Sequence, residues 1–121
     1  MADRRGRLGR EAEDAAAAHL ARAGLRVVER NVRFRHGEID LVCRDRDILV
    51  FVEVKSLESS APPEDAVGFR KRQRIIRAAQ TYISRHGLRE APCRFDILAV
   101  TSVSPRQPEF RLLRDAFTMY N

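Results

Sequence analysis

No apolar run in this sequence approaches the ~20 residues a membrane helix needs; the longest on strong hydrophobes is Ile48 to Val52. The start, Met1-Ala2-Asp3-Arg4-Arg5, leads into Gly and Arg instead of an apolar stretch, so no secretory signal and a cytoplasmic location are expected. Tryptophan is absent, and the two cysteines, Cys43 and Cys93, show no C-x-x-C or Cys/His spacing, which favours a reduced structural pair over a disulfide or zinc site. His19, His36 and His86 show no pairing at metal spacing and are assigned to no catalysis. A phosphate-binding Gly-rich loop, a Ser/His/Asp order and a dinucleotide fingerprint are all missing, which removes the common nucleotide-cofactor and serine-hydrolase chemistries. Lysine is scarce as well: of 23 basic residues, 21 are Arg and only Lys55 and Lys71 are Lys. Where positive charge is almost always written as Arg, a lysine marks a place that wants a compact point charge whose pKa responds to burial.

What is present is a basic chain of one-domain size. Its 121 residues can bury roughly two-thirds of their extended surface, enough for one core and too few for a second domain. The formal net charge of +6 and pI near 10.3 draw polyanions by Coulomb attraction and counterion release, without naming the polyanion.

Residues Leu8, Ala12, Ala15, Ala16, His19, Leu20 and Ala23 recur at helical spacing and predict a first helix, with Gly24 as its cap. Leu25 to Glu29 and Val32 to Phe34 are short β-prone pieces, closed by a turn at Arg35-His36-Gly37. Glu38 to Arg44 alternates, placing Ile39, Leu41 and Cys43 on one side and Glu38, Asp40 and Val42 on the other. Ile48 to Val54 is apolar on both sides and is expected at the centre of a sheet. Leu57 to Asp65, with Ser-Ser-Ala-Pro-Pro, predicts a mobile loop. A second helix carries Phe69, Ile75, Ile76, Ala79 and Ile83 and ends near Gly87. Two further strands, Phe95 to Val100 and Phe110 to Leu113, are separated by Pro105 and Pro108. The expected fold class is α/β, a central mixed sheet flanked by helices in the order α-β-β-β-α-β-β, with residues 1–7 as a flexible basic arm and 8–121 as one domain.

The chemistry concentrates in one hairpin. If its loop is Arg46-Asp47, Asp45 pairs with Ile48, and the register carried along the ladder sets Asp40 opposite Glu53 and Glu38 opposite Lys55. Like charges directly opposite cost about 0.2–1 kcal/mol, so this pair works against the fold unless a cation lies between them. A hard divalent ion, Mg²⁺ or Mn²⁺, turns that repulsion into coordination, with the Val54 carbonyl as a third ligand and room left for substrate phosphate and water. Lys55, two residues beyond Glu53 on its face, would orient the nucleophile and stabilise the transition state, or act as a base. The alternative is a charged strand edge facing solvent.

These residues carry a resemblance. Gly37-Glu38-Ile39-Asp40-Leu41-Val42, Leu49-Val50-Phe51-Val52-Glu53-Val54-Lys55 and Arg94-Phe95-Asp96 resemble the bacterial UPF0102 (YraN-like) family. That family in turn resembles the Holliday-junction resolvases and the restriction-endonuclease-like fold with its D…E-x-K motif. The resemblance implies Asp40 and Glu53 as metal ligands, Lys55 as the catalytic lysine and Glu13 of the first helix as an accessory acidic group, although a solvated helix charge explains Glu13 equally. It departs at Ala12, where relatives commonly carry Gly, and at Leu57, where they often carry Arg, so a phosphate contact is lost or supplied elsewhere.

Around the motif, Arg70, Arg74 and Arg77 form a stripe on the second helix, with Lys71 and Gln73 adjoining; five of the eight residues from 70 to 77 are basic. Such a face suits a phosphate backbone, or is an ordinary solvated surface. Asn31 and Arg33 also fit the family pattern, with Arg33 as a further contact, although turn formation and surface charge explain them equally. The expected activity is Mg²⁺-dependent endonucleolytic hydrolysis of nucleic acid, with branched DNA ahead of RNA; the rival is a non-catalytic nucleic-acid-binding module or accessory protein on the same fold, which Leu57 favours. Resolvase-like relatives often act as dimers, which would set two sites against two strands in a homodimer.

Overall fold

A computed structural model describes residues 10–57, 67–104 and 107–119. The expected basic arm, the Pro-containing loop after Leu57 and the Leu57 side chain lie outside what is described. The elements run α1 (Arg10–Arg22), β1 (Arg26–Phe34), β2 (Gly37–Asp45), β3 (Ile48–Leu57), α2 (Phe69–Arg85), β4 (Cys93–Ser104) and β5 (Gln107–Phe117), the order expected. One five-stranded sheet holds them in the order β1-β2-β3-β4-β5. All neighbours are antiparallel except β3 and β4, which α2 joins as a crossover. This mixed α/β sheet agrees with the expected restriction-endonuclease-like core.

The strand that reads as apolar on both sides is central. Val50 and Val52 of β3 pack with Ala16 and Leu20 of α1 on one face. Leu49 and Phe51 pack with Ile75, Ile76, Ala79 and Tyr82 of α2 on the other. Phe51 stacks on Phe95 at 5.5 Å and meets the edge of Tyr82 at 5.9 Å. Truncating Phe51 to Ala would open this aromatic layer at a cost of about 3–5 kcal/mol. Among the described residues, no helix is long and apolar enough to cross a membrane.

Three local expectations change. The two β-prone pieces before Phe34 are a single strand, β1, with a bulge between Val27 and Glu29 and a left-handed Asn31 at φ 53°. Strand alternation in β2 breaks at Asp40: Ile39 joins the α2-side core with Val42, whereas Leu41 and Cys43 join the α1-side core. Pro108 does not separate strands but lies inside β5, which is an edge strand and so tolerates a missing N–H.

Candidate metal and nucleic-acid site

The β2–β3 hairpin closes through Arg46-Asp47, with Asp45 opposite Ile48 and Arg46 supplying the left-handed backbone such a turn needs, at φ 60°. From there the register runs as expected through Leu41 opposite Val52 and then stops. Neither Asp40 with Glu53 nor Glu38 with Lys55 forms a backbone pair in this ladder. The reason lies in the neighbouring strand: Asn31, the residue that the β1–β2 register would set against Asp40, adopts the left-handed conformation and drops out of pairing. The strand path turns there, and side chains take over from backbone. The Val54 N–H donates to Oδ2 of Asp40 at 2.8 Å, replacing a ladder bond with a strand-to-carboxylate bond.

Asp40 and Glu53 nevertheless converge, within hydrogen-bonding reach of each other. Glu53 is only 6% exposed and Asp40 is half-buried. Burial, and then the charge of Asp40, push the Glu53 carboxyl up to about 8; burial also raises Asp40, against the lowering pull of the Val54 N–H. The raised Glu53 carboxyl favours a proton kept between the two groups, with Glu53 as donor and Asp40 as acceptor. The Nζ of Lys71 supplies the remaining positive charge, 3.4 Å from Oε2 of Glu53.

This donor set fits a hard divalent cation. Two carboxylates this close in a poorly hydrated place need positive charge between them, which a proton and the Lys71 ammonium group supply here and a divalent cation would supply in their stead. A strand residue's carbonyl leaves the strand on the same side as its N–H, so the Val54 carbonyl faces the β2 side where Asp40 lies, beyond the last ladder pair. Two carboxylates and a carbonyl match the sparse protein ligation typical of Mg²⁺. Among the described residues, no group of three or more His, Cys, Asp or Glu side chains forms a denser cage.

The other expected residues fall into separate places. Lys55 is half-buried on β3, on the Glu53 face by strand alternation, and shows no ion pair to a described residue. Glu13 is not gathered in: its Oε1 lies 3.7 Å from Arg30 Nη1, and its helix packs on the opposite face of the sheet from α2. Arg33 is paired with Glu38 at 3.2 Å. Arg70, Arg74 and Arg77 are exposed on α2, opposite the buried Ile75, Ile76 and Ala79. The sequence pattern places Lys71 with these arginines as a backbone contact; its pairing with Glu53 was not foreseen, and lysine scarcity was the only signal that singled it out.

With the carboxylate pair, the following lysine and the mixed sheet in place, the relationship is decided by comparison with known proteins. The family model described as "Uncharacterised protein family UPF0102" matches residues 12–100. The chain belongs to the UPF0102 family. A UPF0102 protein of Anaeromyxobacter dehalogenans is 52% identical over 82% of this chain and 75% of its own length. One from Symbiobacterium thermophilum is 42% identical over 92% of this chain and 96% of its own. A third, from Geobacter sulfurreducens, is 40% identical over 93% and 89%. The UPF0102 match spans the hairpin, α2 and the Arg94-Phe95-Asp96 segment.

That last segment is structural in this UPF0102 chain. Asp96 is fully buried, accepts the Nε–H of Arg94 at 3.0 Å and the N–H of Asp115 at 2.9 Å, and lies on the α1 side by alternation with Leu98. Arg94 also reaches Asp45 at 2.9 Å, so the cluster ties β4 to β5 and to the end of the hairpin. Both cysteines are free thiols, and burial holds Cys43 up at about 12, far from thiolate chemistry.

Proposed function

We propose that this chain is a metal-dependent phosphodiesterase acting on nucleic acid, with branched or irregular DNA as its expected substrate. The observation that carries the reading is the convergence of the half-buried Asp40 and the buried Glu53 carboxylates beside the Lys71 ammonium group, at the point where the β2–β3 ladder ends. Asp40, Glu53 and the Val54 carbonyl would hold Mg²⁺ or Mn²⁺, which when bound supplies Lewis acidity toward a phosphate oxygen. Asp40 is fixed for this by the Val54 N–H. Lys55 would orient the attacking water and stabilise the charge that develops on the phosphorane-like transition state. The exposed arginines of α2 would hold the strand by its backbone, which positions it without reading sequence. A homodimer would bring two such sites to two strands.

A panel of linear, flapped and four-way DNA and RNA, incubated with Mg²⁺ or Mn²⁺, tests this. Cleavage by the intact chain and its loss in Glu53→Gln and Lys55→Ala is the expected outcome. Full Mg²⁺-dependent cleavage by a folded Asp40→Ala variant would remove the reading.

One observation favours a second reading, a binding module without chemistry: Lys71 already gives Glu53 a positive partner without any metal. In that case nucleic-acid binding survives both chelation and Asp40→Ala and falls steeply with salt, with a slope of about 0.9 per phosphate contact on duplex DNA.

A further inference from the structure

Beside the carboxylate pair, the Arg35–His36 turn between β1 and β2 is seated directly on α2. A Cβ added at Gly37 would lie 2.7 Å from the carbonyl oxygen of Arg74, so only glycine allows this approach. The seat creates a cleft of about 400 Å³ between turn and helix, lined by Arg33, Arg35, His36, Lys71 and Arg74, with Phe34 and Ile75 as its apolar wall. That volume lies within the range of small-ligand pockets. Among the described residues, the only acid lining it is Glu38, whose carboxylate is already paired with Arg33. Arg35 and Arg74 have no carboxylate within ion-pair distance among the described residues. Cations gathered around a concave surface repel one another and focus their field into it, which favours an anion there.

We propose that this cleft is a nucleic-acid phosphate site, separate from the carboxylate pair, which seats one nucleotide of a single strand with its phosphate toward Arg35 and Arg74 and its sugar against Phe34 and Ile75. The inference rests on the nucleic-acid reading above and deepens it. Lys71 joins the two places, since its side chain lines the cleft while its Nζ contacts Glu53. The strand that enters the cleft is thereby delivered beside Glu53, the partner of Lys71. Arg70 and Arg77 of the same helix do not line the cleft, so the site is narrower than the basic stripe the sequence suggests.

The test is fluorescence anisotropy of a short labelled single-stranded oligonucleotide titrated with the full chain in EDTA, where no metal-dependent cleavage intrudes. The double variant Arg35→Ala/Arg74→Ala should bind about tenfold more weakly and lose about 0.7 from the salt slope, as the loss of one phosphate contact on a single strand requires. Arg89→Ala/Arg111→Ala removes the same charge from exposed positions away from the cleft and should change affinity by less than about twofold. All four side chains are exposed, so both variants should keep the wild-type circular dichroism spectrum. Inorganic phosphate should compete with the oligonucleotide on wild type. Equal losses in the two double variants, or no binding by wild type, would overturn the proposal. Absence of cleavage with Mg²⁺ alongside a cleft-specific binding loss would sink the enzymatic reading and leave this site standing.

Discussion

The ammonium group of Lys71 lies 3.4 Å from the buried Oε2 of Glu53, on the residue that this fold places nearest the centre of its candidate chemistry. A lysine from α2 therefore stands where a metal ion would neutralise the same carboxylate. If Glu53 holds a metal ion as proposed, the two cations compete for one partner, and the consequences are measurable.

Replacing Lys71 by Met removes the competitor. Mn²⁺ affinity at pH 8.5 should rise several-fold in Lys71→Met, measured by calorimetry, because a positive neighbour of the bound ion has gone and Glu53 needs no partner exchange. Unchanged or weaker Mn²⁺ binding would mean that Lys71 helps to hold the ion's surroundings instead of occupying its place.

The raised Glu53 carboxyl makes the metal-free protein pH-sensitive in a definite direction. Its folded pKa, about 8, exceeds the ordinary 4.5, so the folded state binds the proton more tightly than the unfolded state. This stabilisation is complete below the ordinary carboxyl pKa and is lost as pH rises through about 8. Glu53→Gln keeps the hydrogen bond to Asp40 without a proton to lose. In EDTA the variant should melt within about a degree of wild type at pH 5 and a few degrees above it at pH 8.5. Parallel melting curves of the two proteins across that range would contradict a proton-sharing pair.

On the proposed reading, the same proton governs metal loading. A cation must displace it, so apparent Mn²⁺ affinity should climb by up to about tenfold per pH unit between pH 6 and 8 and flatten above, with proton uptake by the buffer visible in calorimetry. A pH-independent affinity over that window would place the ion elsewhere.

How much of this could be read from the chain alone differs residue by residue. The hairpin register was legible because a two-residue turn at Arg46-Asp47 fixes every pair beyond it, and Leu41 opposite Val52 follows from counting. The centrality of β3 was legible in its unbroken apolar run. The end of the ladder was not: Asn31 suits a turn and divides the two β-prone pieces, but its position opposite Asp40 is set by the β1–β2 pairing, and the break in alternation at Asp40 has no local signature. Lys71 could be noticed as a rare lysine but not placed, since its partner is set by how α2 docks across the sheet. Glu13, drawn in by resemblance, is instead beside Arg30.

The docking of α2 has its own test. Gly37→Ala sets a Cβ against the Arg74 carbonyl at 2.7 Å and forces the Arg35–His36 turn away from the helix. A loss of about 1–3 kcal/mol is expected from denaturant unfolding, the ordinary cost of inserting one carbon into a tight contact. Stability equal to wild type would show that the turn is not pinned there.

A carboxylate that is buried for structure should behave unlike the pair. Asp96→Asn disturbs a network that accepts bonds from Arg94 and Asp115, and should lower stability by more than about 1 kcal/mol while leaving Mn²⁺ affinity within about twofold of wild type. Selective loss of metal binding in this variant would move Asp96 into the site.

Electron paramagnetic resonance of free and bound Mn²⁺ at pH 8.5 addresses the core of the account in one experiment. Wild type should bind a single ion per chain, and Asp40→Asn and Glu53→Gln should each weaken it by at least about tenfold, as loss of one of two carboxylate ligands requires. No binding by wild type, or equal binding by all three proteins, would show that these two carboxylates do not hold a metal ion.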